Sequence, residues 1–125
     1  MERFASPSSL YILHDTFPVE PGVASRQERN NFWAGDVWKV IPILKAYRPD
    51  LVLQTLPIFP TGITLISQMD PTSTILSGNY DTIVKEFMDL PYEYLQSDPK
   101  RILDLSDRTI EEALDWMNIG FGPMT

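Results

Sequence analysis

Short apolar runs separated by turn-forming residues divide the first half of the chain into predicted strands. The run LYIL at residues 10–13 stands between SPSS and HDTFPVEPG, and breaker residues on both sides favour a buried strand. Residues 51–56 (LVLQTL) and 62–69 (GITLISQM) are apolar on both alternating faces, and PIFPTG between them supplies turn residues. We therefore predict a strand at 10–13 and a hairpin formed by 51–56 and 62–69.

A helix is predicted between the first two strands, over residues 36–47. Its apolar residues recur at the spacing that places them on one helix face: Val37, Val40, Ile41, Leu44 and Tyr47. Asp36 stands where an N-cap residue is needed. Pro42 lacks a backbone donor and crowds the preceding turn, so we expect it to bend the helix.

Residues 79–119 are predicted to form a tail of short helices. Residues 79–88 carry an apolar helical stripe, and Ser97-Asp98-Pro99 is typical of a helix start with proline at the first position. Thr109 and Glu112 have the spacing of a capping box, and Gly120 suits the end of that helix. The length supports a single domain over 1–125, with a lead-in at 1–9, a β-α-β-β core at 10–69 and the helical tail at 79–119.

Composition and charge narrow the classes of function. The chain has 125 residues, no Cys, one His, and 17 acidic against 10 basic residues, for a formal charge of -7. A chain without Cys has no disulfide scaffold, thiolate zinc site or cysteine nucleophile. Negative charge disfavours nucleic acid and anionic membranes, and no apolar run approaches the ~18 residues that span a bilayer. We expect a soluble, acidic, cytoplasmic protein with no nucleic-acid or membrane partner.

The acidic residues are concentrated in the predicted helical tail. Residues 79–118 hold ten acidic and four basic side chains. Such a distribution is typical of solvated helix faces, and the alternative is an acidic docking surface. On the last predicted helix, Glu111, Glu112 and Asp115 form no paired-carboxylate site, because nothing in the pattern would separate their pKa values.

The order of the predicted elements implies an α/β fold with a mixed sheet. A strand-helix-strand crossover makes the first two strands parallel, and the short turn makes the third antiparallel. The segments LYILHDTFP, FWAGDVWKVIPIL, RPDLVLQTLP and PTGITLISQMDPTSTIL resemble the C-terminal half of small class I S-adenosylmethionine-dependent methyltransferases, over about residues 9–95. The resemblance implies a partial Rossmann-like fold with three strands in the order 1-3-2, the last one antiparallel.

The same resemblance places the cofactor site in an N-terminal half, on a glycine-rich loop after its first strand. No G-x-G follows a predicted strand in this chain, and Gly120-Phe121-Gly122 lies near its end. We expect no cofactor for the isolated chain, and S-adenosylmethionine only if a partner completes the fold. The expected function is a standalone, non-enzymatic half-domain that acts as an interaction or small-ligand-binding module. The alternative is the acceptor-side subunit of a split S-adenosylmethionine-dependent methyltransferase.

Five residues are candidates for binding a substrate, and none is assigned a catalytic role: His14, Asp15, Thr16, Trp33 and Trp38. The first three follow strand 10–13, at the edge where open α/β sheets collect ligands. The resemblance makes Asp15 a weak candidate for a divalent metal, because such an ion requires several oxygen ligands. In the structural alternative, Asp15 and Thr16 cap the strand exit and His14 is partly buried. The tryptophans either line a pocket or fill a core or an interface.

The outer edge of strand 10–13 is the expected site of assembly. In the resembled fold a fourth strand pairs there, and without it the strand would expose unpaired backbone groups. We expect a homodimer through this edge, because two-fold dimers are the commonest oligomers, with Phe4, Phe32 and Trp33 as flanking contacts. A complementary methyltransferase half is the other possible partner.

Overall fold

Three strands form one sheet in the computed structural model, which describes residues 2–6, 9–18, 35–58 and 61–117. The strands are β1 (Tyr11–His14), β2 (Val52–Leu56) and β3 (Ile63–Ser67), in the spatial order β1-β3-β2. Both neighbouring pairs are antiparallel. The predicted order and the antiparallel last strand are confirmed. The sheet is antiparallel rather than mixed, because β3 separates the two strands that run in the same direction.

Six α-helices and two short 3₁₀ helices complete the described residues. The 3₁₀ helices span Glu2–Phe4 and Val37–Lys39, and the α-helices are α1 (Val40–Tyr47), α2 (Ile75–Gly78), α3 (Tyr80–Phe87), α4 (Tyr92–Ser97), α5 (Pro99–Leu103) and α6 (Ile110–Trp116). The helices predicted in the tail are present as α3 to α6. The single turn of α2 has too few residues for an apolar period, and the sequence pattern did not indicate it.

Helix starts agree with the sequence where a side chain makes the cap. The carboxylate of Asp98 accepts from the Arg101 N–H at 3.3 Å, and the hydroxyl of Thr109 accepts from the Glu112 N–H at 3.1 Å. The Asp36 cap was wrong, since its side chain makes no capping hydrogen bond. The predicted helix instead begins as the 3₁₀ turn and becomes α-helical at Val40. The predicted Gly120 end lies outside the described residues.

Pro42 is tolerated because it is the third residue of α1. In the first turn of a helix the N–H groups have no acceptor within that helix, so the missing donor of proline costs little there. Its side chain is buried with those of Ile41 and Leu44. The predicted bend at Pro42 stays a prediction, and the structure shows a change from 3₁₀ to α geometry at Val40, two residues before the proline.

The sheet separates two apolar layers. One face carries a larger core that joins α1, α4 and α5 to the sheet, with the buried residues Trp38, Ile41, Leu44, Leu53, Ile66, Met69, Leu95, Ile102 and Leu103. The other face packs against α6 through Leu56, Leu65, Ala113, Leu114 and Met117. Successive strand residues point to opposite faces, so the two-sided apolar pattern of β2 and β3 serves both layers.

Candidate functional site

The chain leaves β1 through a turn at Asp15, whose φ of 64° lies in the left-handed region. Two backbone hydrogen bonds hold this turn to the hairpin: Asp15 N–H donates to the Gly62 carbonyl (3.1 Å) and Phe17 N–H to the Thr61 carbonyl (2.7 Å). Gly62 has a φ of 78°, and a Cβ there would lie 2.6 Å from the Cβ of Phe17. The turn therefore requires glycine at position 62, and it holds Asp15 in a fixed place.

His14, Asp15 and Thr61 form a hydrogen-bonded chain on this turn. His14 Nδ1 lies 2.8 Å from Asp15 Oδ2, and the Thr61 hydroxyl donates to Asp15 Oδ1 at 2.5 Å. The His14 side chain is 82% exposed. A carboxylate at Nδ1 orients the imidazole and leaves Nε2 accessible, which suits a proton acceptor or a metal ligand. The partial burial of His14 expected in the structural alternative was wrong.

A metal site at Asp15 stays a prediction. Within residues 2–6, 9–18, 35–58 and 61–117, no group of three or more His, Cys, Asp or Glu side chains is placed to hold a metal ion. Asp15 Oδ1 is occupied by Thr61 and Oδ2 by His14. A divalent ion on this carboxylate would thus displace existing partners, and its other ligands would have to come from another molecule.

The side chain of Thr16 points into the protein and takes no part in the hydrogen-bonded chain of His14, Asp15 and Thr61. Its hydroxyl accepts from that of Thr64 at 2.9 Å, and Thr64 Oγ1 lies 2.6 Å from Thr55 Oγ1. All three side chains are fully buried. The three hydroxyls connect β2, β3 and the exit of β1, so buried polar groups satisfy one another there. Thr16 thus anchors the turn to β3 on the interior side of the sheet through its bond to Thr64.

The two predicted tryptophans are not part of this turn. Trp38 is 1% exposed and belongs to the larger core with Ile41 and Leu53. That position agrees with the core alternative. Trp33 lies outside the described residues, as does Phe32. The structure brings His14 and Asp15 together with Thr61, which the sequence did not single out, although the PTG turn contains it.

A buried arginine links distant parts of the chain. Arg48 is 1% exposed, and its guanidinium makes a bidentate pair with Glu2 (2.6 and 2.8 Å) and a bond to Asp50 (2.8 Å). Glu2 also accepts from the Asp70 N–H at 2.6 Å. The bonds to Arg48 lower the pKa of Glu2 and of Asp50, and these carboxylates raise the pKa of Arg48. We call Arg48, Glu2 and Asp50 the arginine clasp. It is a structural feature that the local pattern could not reveal.

A groove of about 470 Å³ lies between α1 and α3. Two charged residues and seven apolar or aromatic ones line it: Asp36, Lys39, Val40, Ile43, Tyr80, Ile83, Val84, Phe87 and Met88. The groove is open to solvent, because Tyr80 is 66% exposed, Met88 50% and Val40 37%. Tyr80, Ile83, Val84 and Phe87 have the spacing of one helical stripe.

Side-chain contacts join the two helices beside the groove. Lys39 Nζ donates to the Met88 carbonyl at 2.5 Å and lies 3.6 Å from Asp36 Oδ2. The rings of Tyr47 and Phe87 meet edge to face at 6.4 Å, and the Tyr47 hydroxyl donates to Glu86 at 3.0 Å. The walls are therefore held together by specific bonds, while the apolar surface between them stays open.

Comparison with family models, with curated proteins and with solved structures finds no match for this chain. Over the ranges that the structure describes, none of the helices combines the length and the apolar character needed to cross a membrane.

Proposed function

We propose that this chain is a non-enzymatic interaction module that binds an amphipathic helix of a partner protein in the groove between α1 and α3. The observation that carries the proposal is the open apolar groove itself, with two helical walls held by defined bonds. Exposed contiguous apolar surface is uncommon on soluble proteins and marks interaction sites. A helix lying between two helices buries its apolar face as in other helix-in-groove complexes.

A helix suits this groove better than a small molecule does. Small-ligand pockets enclose most of the ligand surface. Here the walls are themselves half exposed, with Tyr80 at 66% and Met88 at 50%. A ligand in such a groove keeps one side in water, which an amphipathic helix tolerates because its outer face is polar.

The charges beside the groove indicate a basic partner. Helix α3 and the turn after it carry the exposed acids Asp81, Glu86 and Asp89 against the single exposed base Lys85. Lys39 on the opposite wall is already engaged by Asp36 and the Met88 carbonyl. Complementary charge favours encounter with a helix that carries Lys or Arg beside its apolar stripe.

The test uses two synthetic amphipathic peptides of about 18 residues, long enough to form a helix. Both have leucines on one face, and the polar face is lysine in one and glutamate in the other. Fluorescence polarisation should show micromolar binding of the lysine peptide and at least tenfold weaker binding of the glutamate peptide. The Tyr80→Ala variant should weaken binding of the lysine peptide about tenfold, or about 1.4 kcal/mol, because an aromatic wall is lost.

The matched control is Ile110→Ala, which truncates an exposed apolar side chain on α6. Its affinity for the lysine peptide should equal that of the parent chain. Equal losses in the Tyr80 and Ile110 variants would show that binding is not specific to the groove and would reject the proposal. Tight binding of the apolar dye anilinonaphthalene sulfonate at the groove, with no peptide binding, would favour the small-ligand module instead.

The order of the strands favours a second candidate, the acceptor-side subunit of a split S-adenosylmethionine-dependent methyltransferase. The order β1-β3-β2 with an antiparallel β3 agrees with the end of the sheet in the resembled fold. In this proposal a separate chain holds the cofactor, and His14 and Asp15 face the acceptor. S-adenosylmethionine should not bind the isolated chain at tens of micromolar in a calorimetric titration.

Co-purification from the native source separates the two candidates. A split enzyme requires recovery with a second chain that carries a glycine-rich cofactor loop, and Asp15→Ala should then reduce methyl transfer by the complex. Asp107→Ala is the matched control, because that side chain is exposed and distant in sequence. Recovery of the chain without such a partner would remove this candidate.

A further inference from the structure

The two outer edges of the sheet differ in what covers them. On β2, Thr55 N–H donates to the Asp104 carbonyl (3.0 Å), and the Thr55 carbonyl accepts from Ser106 N–H (2.9 Å). The segment 104–106 therefore lies along that edge, with Leu105 bridged to Thr55 in parallel orientation. On β1, no backbone hydrogen bond to the outer edge is made within the described part of the chain.

Ladder geometry identifies the backbone groups that face outward on β1. Asp15 N–H donates to the Gly62 carbonyl, and hydrogen-bonded positions alternate along an antiparallel pair. Tyr11 and Leu13 therefore direct their N–H and C=O groups to β3. Ile12 and His14 direct their N–H and C=O groups away from β3, so these two residues form the outer edge, which no other described segment covers.

The side chains at this edge are exposed as well. Ile12 is 58% and His14 82% exposed. They lie on the sheet face that α6 covers over β2 and β3, where Leu56 and Leu65 are buried. An apolar β-branched side chain thus lies beside backbone groups that no described residue pairs, which is the pattern of an edge that pairs with another strand.

We propose that β1 pairs with β1 of a second copy of this chain, antiparallel about a two-fold axis at Ile12. The two three-stranded sheets then form one continuous sheet of six strands. Ile12 lies opposite the partner's Ile12, and His14 lies opposite the partner's Leu10. Each outward N–H and C=O of Ile12 finds a partner, and both isoleucine side chains cover one another on the same face.

The turn after β1 selects this register. An axis at a residue places outward-facing residues opposite one another, and the choice between Ile12 and Leu13 depends on the length of the ladder. An axis at Leu13 would limit the ladder to residues 12–14, because Tyr11 would lie opposite Asp15, whose φ of 64° ends the extended chain. An axis at Ile12 uses only residues 10–14, all of which precede that turn.

A second copy fits this edge electrostatically despite the charge of -7. Residues 10–14 contain no acidic or basic side chain other than His14. In the proposed register the two Asp15 carboxylates lie at opposite ends of the ladder, about 20 Å apart along the strands at ~3.4 Å per residue. The two Asp15 carboxylates are therefore separated by more than a Debye length and do not oppose self-pairing at this edge.

Cysteine cross-linking tests the register, because the natural chain has no cysteine. Ile12→Cys should oxidise to a covalent dimer, since directly opposite Cα atoms lie ~5.5 Å apart, within disulfide range. His14→Cys is the matched control at a more exposed position of the same edge. It should cross-link at least tenfold more slowly, because the two copies of position 14 are four residues out of register.

Light scattering tests the dimer without cross-linking. At 100 μM the chain should give twice the monomer mass of 14.3 kDa. Ile12→Lys should give the monomer mass with an unchanged circular dichroism spectrum, and Ile110→Lys on α6 should remain dimeric. A monomeric parent chain would overturn the proposal, and so would a dimer that survives Ile12→Lys. Cross-linking at position 14 as fast as at position 12 would reject the register.

Discussion

At the scale of single residues, two glycines of this chain have opposite surroundings. Gly62 has a φ of 78° and would place a Cβ 2.6 Å from that of Phe17, whereas a Cβ added at Gly78 would have no neighbouring atom within 4 Å. Gly62 also supplies the carbonyl that holds Asp15. The hydrogen-bonded chain of His14, Asp15 and Thr61 thus depends on a residue with no side chain of its own.

We expect Gly62→Ala to lower the free energy of unfolding by about 2 kcal/mol or more. The left-handed backbone costs an L-residue roughly 1–2 kcal/mol, and the contact with Phe17 adds overpacking. Urea denaturation followed by circular dichroism measures the change. Gly78→Ala, at the end of α2, should leave stability unchanged or raise it by up to about 1 kcal/mol. Similar losses in both variants would contradict the assigned role of Gly62.

At the scale of elements, α6 is too short to be stable as an isolated helix, and its stability depends on its N-cap and on its packing. It has seven residues, and isolated helices this short are unstable in water. The Thr109 hydroxyl accepts from Glu112 N–H at 3.1 Å and donates to Glu112 Oε1 at 3.1 Å. Cap and packing together hold Ala113 and Leu114 against the sheet.

Thr109→Ala should destabilise the protein by about 1 kcal/mol, because one orphan N–H loses its acceptor. Thr82→Ala is the matched control, an exposed threonine within α3, and should be neutral or slightly stabilising, since alanine favours helix. Thermal denaturation of both variants provides the comparison. Loss of stability in the Thr82 variant alone would show that the cap contributes nothing.

At the scale of the whole molecule, the arginine clasp joins the N-terminal turn to the segment between α1 and β2. The Asp70 N–H, just after β3, donates to Glu2 and so joins the clasp to the end of the sheet. Bonding to Arg48 lowers the pKa of Glu2 below its ordinary value of 4.5. The folded protein therefore releases this proton more readily than the unfolded chain does. The stability that the clasp contributes is present above pH 4.5 and is lost as the pH falls through the folded pKa.

Glu2→Gln should cost about 1–3 kcal/mol at pH 7, because a buried cation loses one of its two carboxylates. The variant should also lose less stability than the parent chain between about pH 5 and about pH 3. Urea titrations at several pH values measure both effects. Glu93→Gln, an exposed change on α4, should stay within about 0.5 kcal/mol. A parent-like pH profile in the Glu2 variant would refute the linkage.

Much of the secondary structure follows from local sequence. Apolar runs bounded by Pro, Gly and Asp identified the strands near residues 11–14, 52–56 and 63–67. The starts of α5 at Asp98 and of α6 at Thr109 could also be predicted from local sequence, because a capping side chain bonds to an N–H only three residues away. The Asp36 cap failed although Asp98 has the same residue type, since Asp36 has φ -107° and ψ 27°, outside the extended conformation in which an N-cap side chain reaches the following N–H groups.

Tertiary structure decided the long-range contacts and the open surfaces of the molecule. Arg48 meets Glu2, and Asp15 meets Thr61, across 46 residues of sequence in each case. The hydrophobic periodicity of the sequence cannot predict such pairings, because they depend on how the sheet brings distant turns together. The same holds for the groove between α1 and α3 and for the covering of β2 by residues 104–106. Local sequence determined which residues form strands and helices, whereas packing between these elements determined which surfaces remain open.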